Sequence, residues 1–560
     1  MNRCSPKSLC LSVLAAFALA GTARAQTVVA AYQNQMEIQT LATLTENPTQ
    51  MAWGPDQRLY LSTAYGDVLS YAYDVKTGAL SDAKIAAPGV HGLGIAFHLQ
   101  NMYISTFSGI LKLDDKNGNG IWGETAAGEL KVPLVTGIPI GDHDVDQLQI
   151  QGSTLYVGIG RRTINGYKGP LTSQQLDDFG GSGFAYGGQG NTLGDCAYGG
   201  TIAWIKNLDA VPDLPGAANV YSSSAVTPAL IQDDDSPYTT QDDAKLIVHS
   251  AGTRNPFGLC FDSLGRLWFT NNFNRNPTNG DGAVGPGYPK DAPGPDFSRD
   301  IQDQLFLASP GADYGYADVN WRGKNPMLTP GAAGYHRVLS TTFDNLFNPG
   351  PYVRHDPANP DGLGPSSSAD GCGFFYSGLL PPSLHGNIFI ARWNDAITEA
   401  PNGGVQHTLN YSDLVAVDTG TGKVQRIAYG FAHPIAVLSD GGDRLLVADF
   451  STAGAGGAIY ALHTLPVGLL SLSVPSPVAG GIVVTATVTL GGSAPSDTVI
   501  GLSSSDSSVV RVHRAVVVPA GSASATFTIN TYRSHVTKTV TMQATLGQTV
   551  LTAPLTITGR

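Results

Sequence analysis

The sequence predicts an all-β chain, a six-bladed β-propeller followed by a small β-sandwich, on three observations. Only 14% of the 560 residues are charged whereas 68 are Gly and 35 are Pro, which is too many turn formers and too little Lys and Glu for long helices. One strand–turn–strand phrase recurs six times before residue 465. After it the composition shifts to Val, Thr, Ser and Ala in strict alternation. A hydrophobic fraction of 42% supplies a core and excludes wholesale disorder. The net charge of −12, from 32 Lys+Arg against 44 Asp+Glu, argues against nucleic acid as partner, since phosphate binding needs clustered cations.

In chain order, residues 1–25 read as an export signal. Arg3 and Lys7 precede an apolar run over 9–20, and Ala23 and Ala25 offer the small residues that a signal peptidase needs. Cleavage after Ala25 would deliver a secreted or periplasmic protein. The run is too short to span a bilayer, and no later stretch reaches about 18 apolar residues, so no transmembrane segment is expected. Cys196, Cys260 and Cys372 remain after cleavage, an odd number that allows at most one disulfide within the chain.

Residues 26–465 hold the repeats. The phrase reads MAWGPDQRLYLST from Met51, GIAFHLQNMYIST from Gly94, LQIQGSTLYVGIG from Leu148 and GLCFDSLGRLWFTNN from Gly258. Two looser copies start at Phe374 (FFYSGLLPPSLHGNIFIARWN) and Ile435 (IAVLSDGGDRLLVADF). Each is two antiparallel strands about a tight turn. One hairpin cannot bury both faces, whereas six sheets packed radially can, with only short protected edges. The stretch over 27–44 is available as an outer strand to close the ring. Gly-, Asp- and Pro-rich insertions such as 180–200 and 274–297 are expected to gather on one face and build a site. Residues 466–560 alternate in IVVTATVTL, ASATFTIN and TVTMQATL, the pattern of a sandwich with a spacing or adhesion role.

Candidate chemistry is sparse. His143 enters the third repeat beside Asp142, Asp144 and Asp146, and a His among carboxylates can act as a general base; a hydrogen-bonding loop His is the plainer alternative. Arg254 and Asn255 enter the fourth repeat, where Pro256 and Gly258 fix a turn that would aim the guanidinium at an oxyanion. Asp115, Asn117 and Asn119 have the spacing of a partial calcium loop, but Ala126 stands where an EF-hand needs its last ligand; an Asn-Gly turn explains them equally. The acidic runs 233–235 and 242–243 read as solvated loops. No nucleophile elbow, P-loop or dinucleotide fingerprint occurs.

Taken together, these residues resemble the soluble quinoprotein glucose/sorbosone dehydrogenases, six-bladed propellers that use pyrroloquinoline quinone (PQQ) and calcium. The resemblance rests on His143 with LQIQGSTLYVGIG, on TRNPFGL over 253–259, on Asp303-Gln304-Leu305 with GADYGY over 311–316, and on 374–392 and 433–450. It implies oxidation of a sugar or other alcohol, with an external electron acceptor. His143 would take the hydroxyl proton and Arg254 would stabilise charge on the quinone oxygen. Asn255, Arg392 and His433 would hold the cofactor, and Gly294, Pro295 and Asp303 would serve calcium. Gln304 stands in place of an acid and Phe257 in place of a polar residue. The last module resembles bacterial immunoglobulin-like repeats, notably in VPAGSASATFTI from Val518. Two other functions fit the same chain: a non-catalytic propeller binding a glycan or protein at the cell surface, and a calcium-dependent lactonase, which would need an acidic cluster at the channel centre.

Overall fold

The computed structural model describes residues 26–136, 138, 143–160, 199–218, 243–272, 303–314, 336–337, 363, 367–393, 397–399, 407–409, 412–451 and 456–559. Among these the regular structure is β-strand, and the helical turns are three-residue 3-10 segments. No helix among the described residues is long and apolar enough to cross a membrane.

Five of the six phrases fall on the two inner strands of one blade, whereas the fifth, from Phe374, begins only at the last residue of its inner strand Ala369–Phe374. Blade 1 runs outward as Pro48–Trp53, Leu59–Thr63, Val68–Tyr73 and Leu80–Ala87. Blade 2 is Gly94–His98, Asn101–Thr106, Gly109–Asp114 and Lys131–Val135. Blade 3 is Val145–Gln151, Thr154–Ile159, Thr201–Ile205 and Ile247–Ala251, and Ala312–Asp313 adds parallel to its edge. Blade 4 contributes Leu259–Phe261, Leu267–Asn271 and Gln304–Leu307. Blade 5 is Ala369–Phe374, Ile388–Arg392, Asp413–Val417 and Val424–Tyr429, edged by Thr27–Val28. Blade 6 is His433–Ser439, Arg444–Phe450 and Ala458–Thr464, completed by Met36–Thr43 from the start of the fold.

The first strands of successive blades touch in order, and that of blade 6 touches that of blade 1, so the ring closes. Packing follows the same symmetry, since every interface between neighbouring blades carries its own buried cluster. Tyr60 and Val68 meet Ile95 and Met102 between blades 1 and 2, and Ile202 meets Leu259 and Phe269 between blades 3 and 4. Phe389 and Leu414 meet Val437 and Leu445 between blades 5 and 6. Sheets buried on both faces read as nearly continuous apolar runs, which explains why so little charge is needed; Leu59–Thr63 is buried at every residue.

Beyond blade 6 two sheets pack face to face. One orders Leu469–Ser473, Val483–Leu490, Ser524–Thr531 and Val510–Val512; the other is built around Thr498–Ser504, Lys538–Leu546 and Thr549–Thr558. Val488, Ile500, Ile529, Val540, Met542 and Leu555 fill the space between them. Alternate residues point outward, which is the source of the period-two pattern. Gln35 Nε2 donates to the Ser493 carbonyl at 2.8 Å and Asn34 Nδ2 to that of Gly491 at 2.8 Å, tying the sandwich to the segment before the ring-closing strand.

Candidate active site

Every blade starts with its inner strand, so the residues just before these strands share one face of the ring. Second strands run antiparallel to the first and end on that same face. His143 precedes the inner strand of blade 3, and Arg254-Asn255 precede that of blade 4. Gly160 and Asn272 lie just past the second strands of the same two blades.

Gly160 is the point where these groups meet. A Cβ at this position would collide with His143 Cβ and lie 2.5 Å from Asn255 Oδ1. Glycine therefore lets the imidazole of one blade and the amide of the next share one wall of the mouth. Two residues back, a Cβ at Gly158 would strike the Pro256 carbonyl and sit 3.5 Å from Asp146 Cβ. The Arg-Asn-Pro turn is held from beneath. Asn271 Oδ1 accepts the backbone N–H of Arg254 at 3.0 Å and of Asn255 at 3.1 Å. Asn272 N–H donates to the Asn255 carbonyl at 3.0 Å, and Arg254 Nη1 donates to the Asn272 carbonyl at 3.1 Å. The guanidinium is thus fixed beside the His143–Asn255 wall.

Below this mouth the channel is acidic and closed. Asp146 and Asp370 each occupy the second position of an inner strand, in blades 3 and 5. Burial pushes the Asp146 carboxyl well above the usual carboxylate range, with the negative charges of Asp144 and Asp370 adding to it. Burial pushes Asp370 up to about 8, although hydrogen bonds from Asn272 and Ser368 oppose the rise. Asn272 Nδ2 donates to Asp370 Oδ1 at 2.6 Å, and Ser368 Oγ to the same oxygen at 3.0 Å. Beneath Asp146, Gln147 Nε2 reaches across the ring to the carbonyls of Thr49 at 3.3 Å and Ile435 at 3.4 Å, closing the floor. Asp370 escaped the sequence reading. The signal that would have found it is its register, since it holds the strand position in its copy that Asp146 holds in its own.

The remaining expected site residues are placed as follows. His433 stands at the start of blade 6, stacked on Trp393 at 4.8 Å, with Nδ1 3.0 Å from the Trp393 carbonyl. Arg392, expected to hold a cofactor, is instead enclosed at 0% exposure. Its Nε and Nη2 donate to Asp413 at 2.7 and 2.6 Å and its Nη1 to the Leu363 carbonyl at 2.8 Å, so the guanidinium is committed inside blade 5. Asp303 ties blades 4 and 5, accepting Ser367 Oγ at 2.9 Å and the Ala369 N–H at 3.2 Å. Asp115, Asn117 and Asn119 lie between the third and fourth strands of blade 2, on the face opposite His143. Their side-chain oxygens accept backbone N–H groups of 118–121, and Glu124 takes both amides, as in a self-closed Asn-Gly turn. Gly294, Pro295, Asp142, Cys196, Asp233–Asp235 and Asp242 lie outside the described residues. Among the described residues no three His, Cys, Asp or Glu side chains converge closely enough to hold a metal by themselves.

No protein-family model matches this chain, and no curated protein does either. Solved structures do. A Trichoderma reesei enzyme of carbohydrate-active family AA12, in its calcium structure, is 14% identical over 80% of this chain and 99% of its own, with a TM-score of 0.45. The PQQ domain of a Coprinopsis cinerea pyranose dehydrogenase is 12% identical over 79% and 97%, with a TM-score of 0.45. The PQQ-bound aldose sugar dehydrogenase of Streptomyces coelicolor is 16% identical over 77% and 99%, with a TM-score of 0.40. What the fold and mouth define on their own is an all-β propeller with a His–Arg–Asn constellation over a closed acidic channel.

Proposed function

We propose that the chain is an exported quinoprotein oxidoreductase that oxidises a hydroxyl of a sugar or another alcohol. The observation that carries this is the meeting of His143 and Asn255 at Gly160, with Arg254 anchored alongside. The three residues quoted for the resemblance come from two different blades, and nothing about their separation in sequence requires them to share a wall.

The mouth fits the polar, electron-accepting end of PQQ, since it sets a base and an amide side by side at Gly160 and Arg254 contributes a positive charge next to them. When bound, PQQ would supply the hydride acceptor that no side chain can provide. The protein's part is acid–base and positional. His143 takes the proton of the substrate hydroxyl, Asn255 orients the oxygen, and Arg254 stabilises negative charge that builds on its neighbour. Asp303, which the resemblance assigns to calcium, would act here only through its tie between blades 4 and 5. Arg392 is left out of this account, because Asp413 occupies it.

The test is reduction of a redox dye by purified protein given PQQ and calcium, across a panel of aldoses and simple alcohols. Activity should appear, PQQ should raise Tm, and His143→Ala should lower kcat by roughly 10²- to 10⁴-fold with the PQQ-induced shift retained. Absence of both activity and thermal shift would reject the reading. One observation favours a second function: Asp146 and Asp370 supply an acidic channel centre, which a lactonase needs. Lactone hydrolysis with no quinone present would select it.

A further inference from the structure

Away from the mouth, two thiols face each other across the interface between blades 4 and 5. Cys260 lies on the inner strand Leu259–Phe261 and Cys372 on the inner strand Ala369–Phe374, and both are free thiols in this structure. Strand faces alternate, so the residues flanking each cysteine show where it points. Gly258 continues the ladder of its strand, its carbonyl accepting the Thr270 N–H at 2.9 Å. A Cβ at Gly258 would strike the Asp370 carbonyl and lie 2.9 Å from the Cys372 nitrogen, so position 258 faces blade 5, as does Cys260 two residues on. A Cβ at Gly371 would run into Ala436 of blade 6, and one at Gly373 into Val437. Cys372, between those glycines, is therefore turned the other way, onto blade 4. Its Sγ lies 4.0 Å from the carbonyl oxygen of Trp268, the cross-strand partner of Cys260. Both cysteines are 3% exposed, in one cluster with Trp268, Leu305, Ile388 and Ile390. Burial pushes the Cys260 thiol up, and Cys372, its hydrogen-bond partner, adds to the rise.

We propose that Cys260 and Cys372 are joined by a disulfide made as blades 4 and 5 dock, a covalent staple between two inner strands that belong to different sheets. Side chains that point at one another from adjacent strands are what such a bond needs. The step is two thiol–disulfide exchanges with a disulfide oxidant. One thiolate attacks the oxidant to give a mixed disulfide, and the other displaces the oxidant's second sulfur. The Sγ–Sγ bond forms, the oxidant's S–S bond breaks, and two electrons and two thiol protons leave with the oxidant as two thiols. Disulfide oxidants belong to the oxidising compartments to which an export signal would deliver the chain. The closed interface excludes such a reagent and holds the thiols protonated, so the bond forms before the blades close and is shielded from reductants afterwards. Cys260 lies five residues past Asn255, and Cys372 two past Asp370. The staple thus fixes the spacing between the Arg-Asn-Pro turn and the buried carboxyl of blade 5, whichever reaction the mouth performs.

The experiment unfolds the full chain in denaturant with dithiothreitol and refolds it either with oxidised and reduced glutathione or with dithiothreitol alone. Neither quinone nor substrate is present, so the result is independent of the oxidoreductase reading. Remaining thiols are trapped with N-ethylmaleimide in denaturant, and the protein is digested without reductant for mass spectrometry. The glutathione sample should yield a linked pair of peptides carrying Cys260 and Cys372, which separates on reduction. Its Tm should exceed that of the dithiothreitol sample by about 5 °C, because the bond closes a long loop in the unfolded chain. The double variant Cys260→Ala/Cys372→Ala should show one Tm in both buffers, which distinguishes a lost crosslink from lost packing. Should the variant fail to fold, the two wild-type Tm values and the peptide map decide. Should the reduced chain fail to refold, the map is made on protein isolated with its thiols trapped at lysis. Reduced protein kept folded should gain no link from oxidised glutathione. Maleimide on both Cys260 and Cys372 after oxidative refolding, a link from either to Cys196, or a link formed as readily without unfolding would overturn the proposal.

Discussion

Acidification should loosen the outer edge of blade 3 through one residue, His249. Its ring packs edge-on against Trp204 at 4.6 Å and Tyr156 at 5.8 Å, with Nδ1 3.2 Å from Ser250 Oγ. Burial depresses its pKa from 6.5 to about 3. The sign follows directly. Between these values the unfolded chain takes up a proton that the folded chain refuses, so stability is full above pH 6.5 and is lost as pH falls towards 3. At pH 4.5, two pH units below the unfolded value, the loss is about 2.7 kcal/mol. For a cooperative unit of roughly 400 residues that corresponds to about 3 °C in Tm. Other carboxylates titrate over the same range, so the measurement is a difference. His249→Phe keeps the ring contact and removes the proton, and calorimetric Tm is taken for both proteins at pH 7.5 and 4.5. The variant should lose about 3 °C less than the wild type on acidification. Equal losses in both would refute the reasoning.

Three further outcomes are expected. Gly160→Ala should drive His143 and Asn255 apart, abolishing dye reduction while costing about 1–3 kcal/mol in denaturant unfolding. Gln147→Ala should unpin the channel floor and lower stability by about 1–3 kcal/mol, since two buried carbonyls lose their donor. Arg392→Met should cost about 3–5 kcal/mol, because it strips the buried Asp413 of two hydrogen bonds and leaves only Arg426 beside it; PQQ-induced thermal shifts should be unaffected once the variant is folded.

The blades were legible because each copy states its own geometry. In MAWGPDQRLYLST the apolar runs and the Gly-Pro-Asp turn specify a hairpin without reference to anything distant, and the structure pairs Trp53 with Leu59 accordingly. The stretch over 27–44 was available as the closing strand, and Met36–Thr43 within it pairs with Ala458–Thr464. Site chemistry was legible only where a turn motif announced it, as at Arg254-Asn255-Pro256. Arg392 could not be read correctly, since its partner Asp413 comes from the adjacent strand and nothing in RWND distinguishes an inward ion pair from an exposed cation. Asp370 was invisible because its burial depends on blades 3 and 4 arriving beside it. The Asp115 loop shows the converse: its spacing is unmistakable, yet the same oxygens that could ligate an ion are suited to capping their own backbone.

The pairing of Met36–Thr43 with Ala458–Thr464 has a consequence for biosynthesis. The Met36–Thr43 strand has no partner until the sixth blade has been made, so it must wait, exposed and unpaired, through the synthesis of everything between. Loop closure across so long a separation is slow, and a waiting strand edge invites pairing with another chain. The polar face of this strand (Glu37, Thr40 and Thr43 remain exposed) limits that hazard. Translation of the last blade, rather than of any residue at the mouth, is therefore the event that commits this propeller to its finished form.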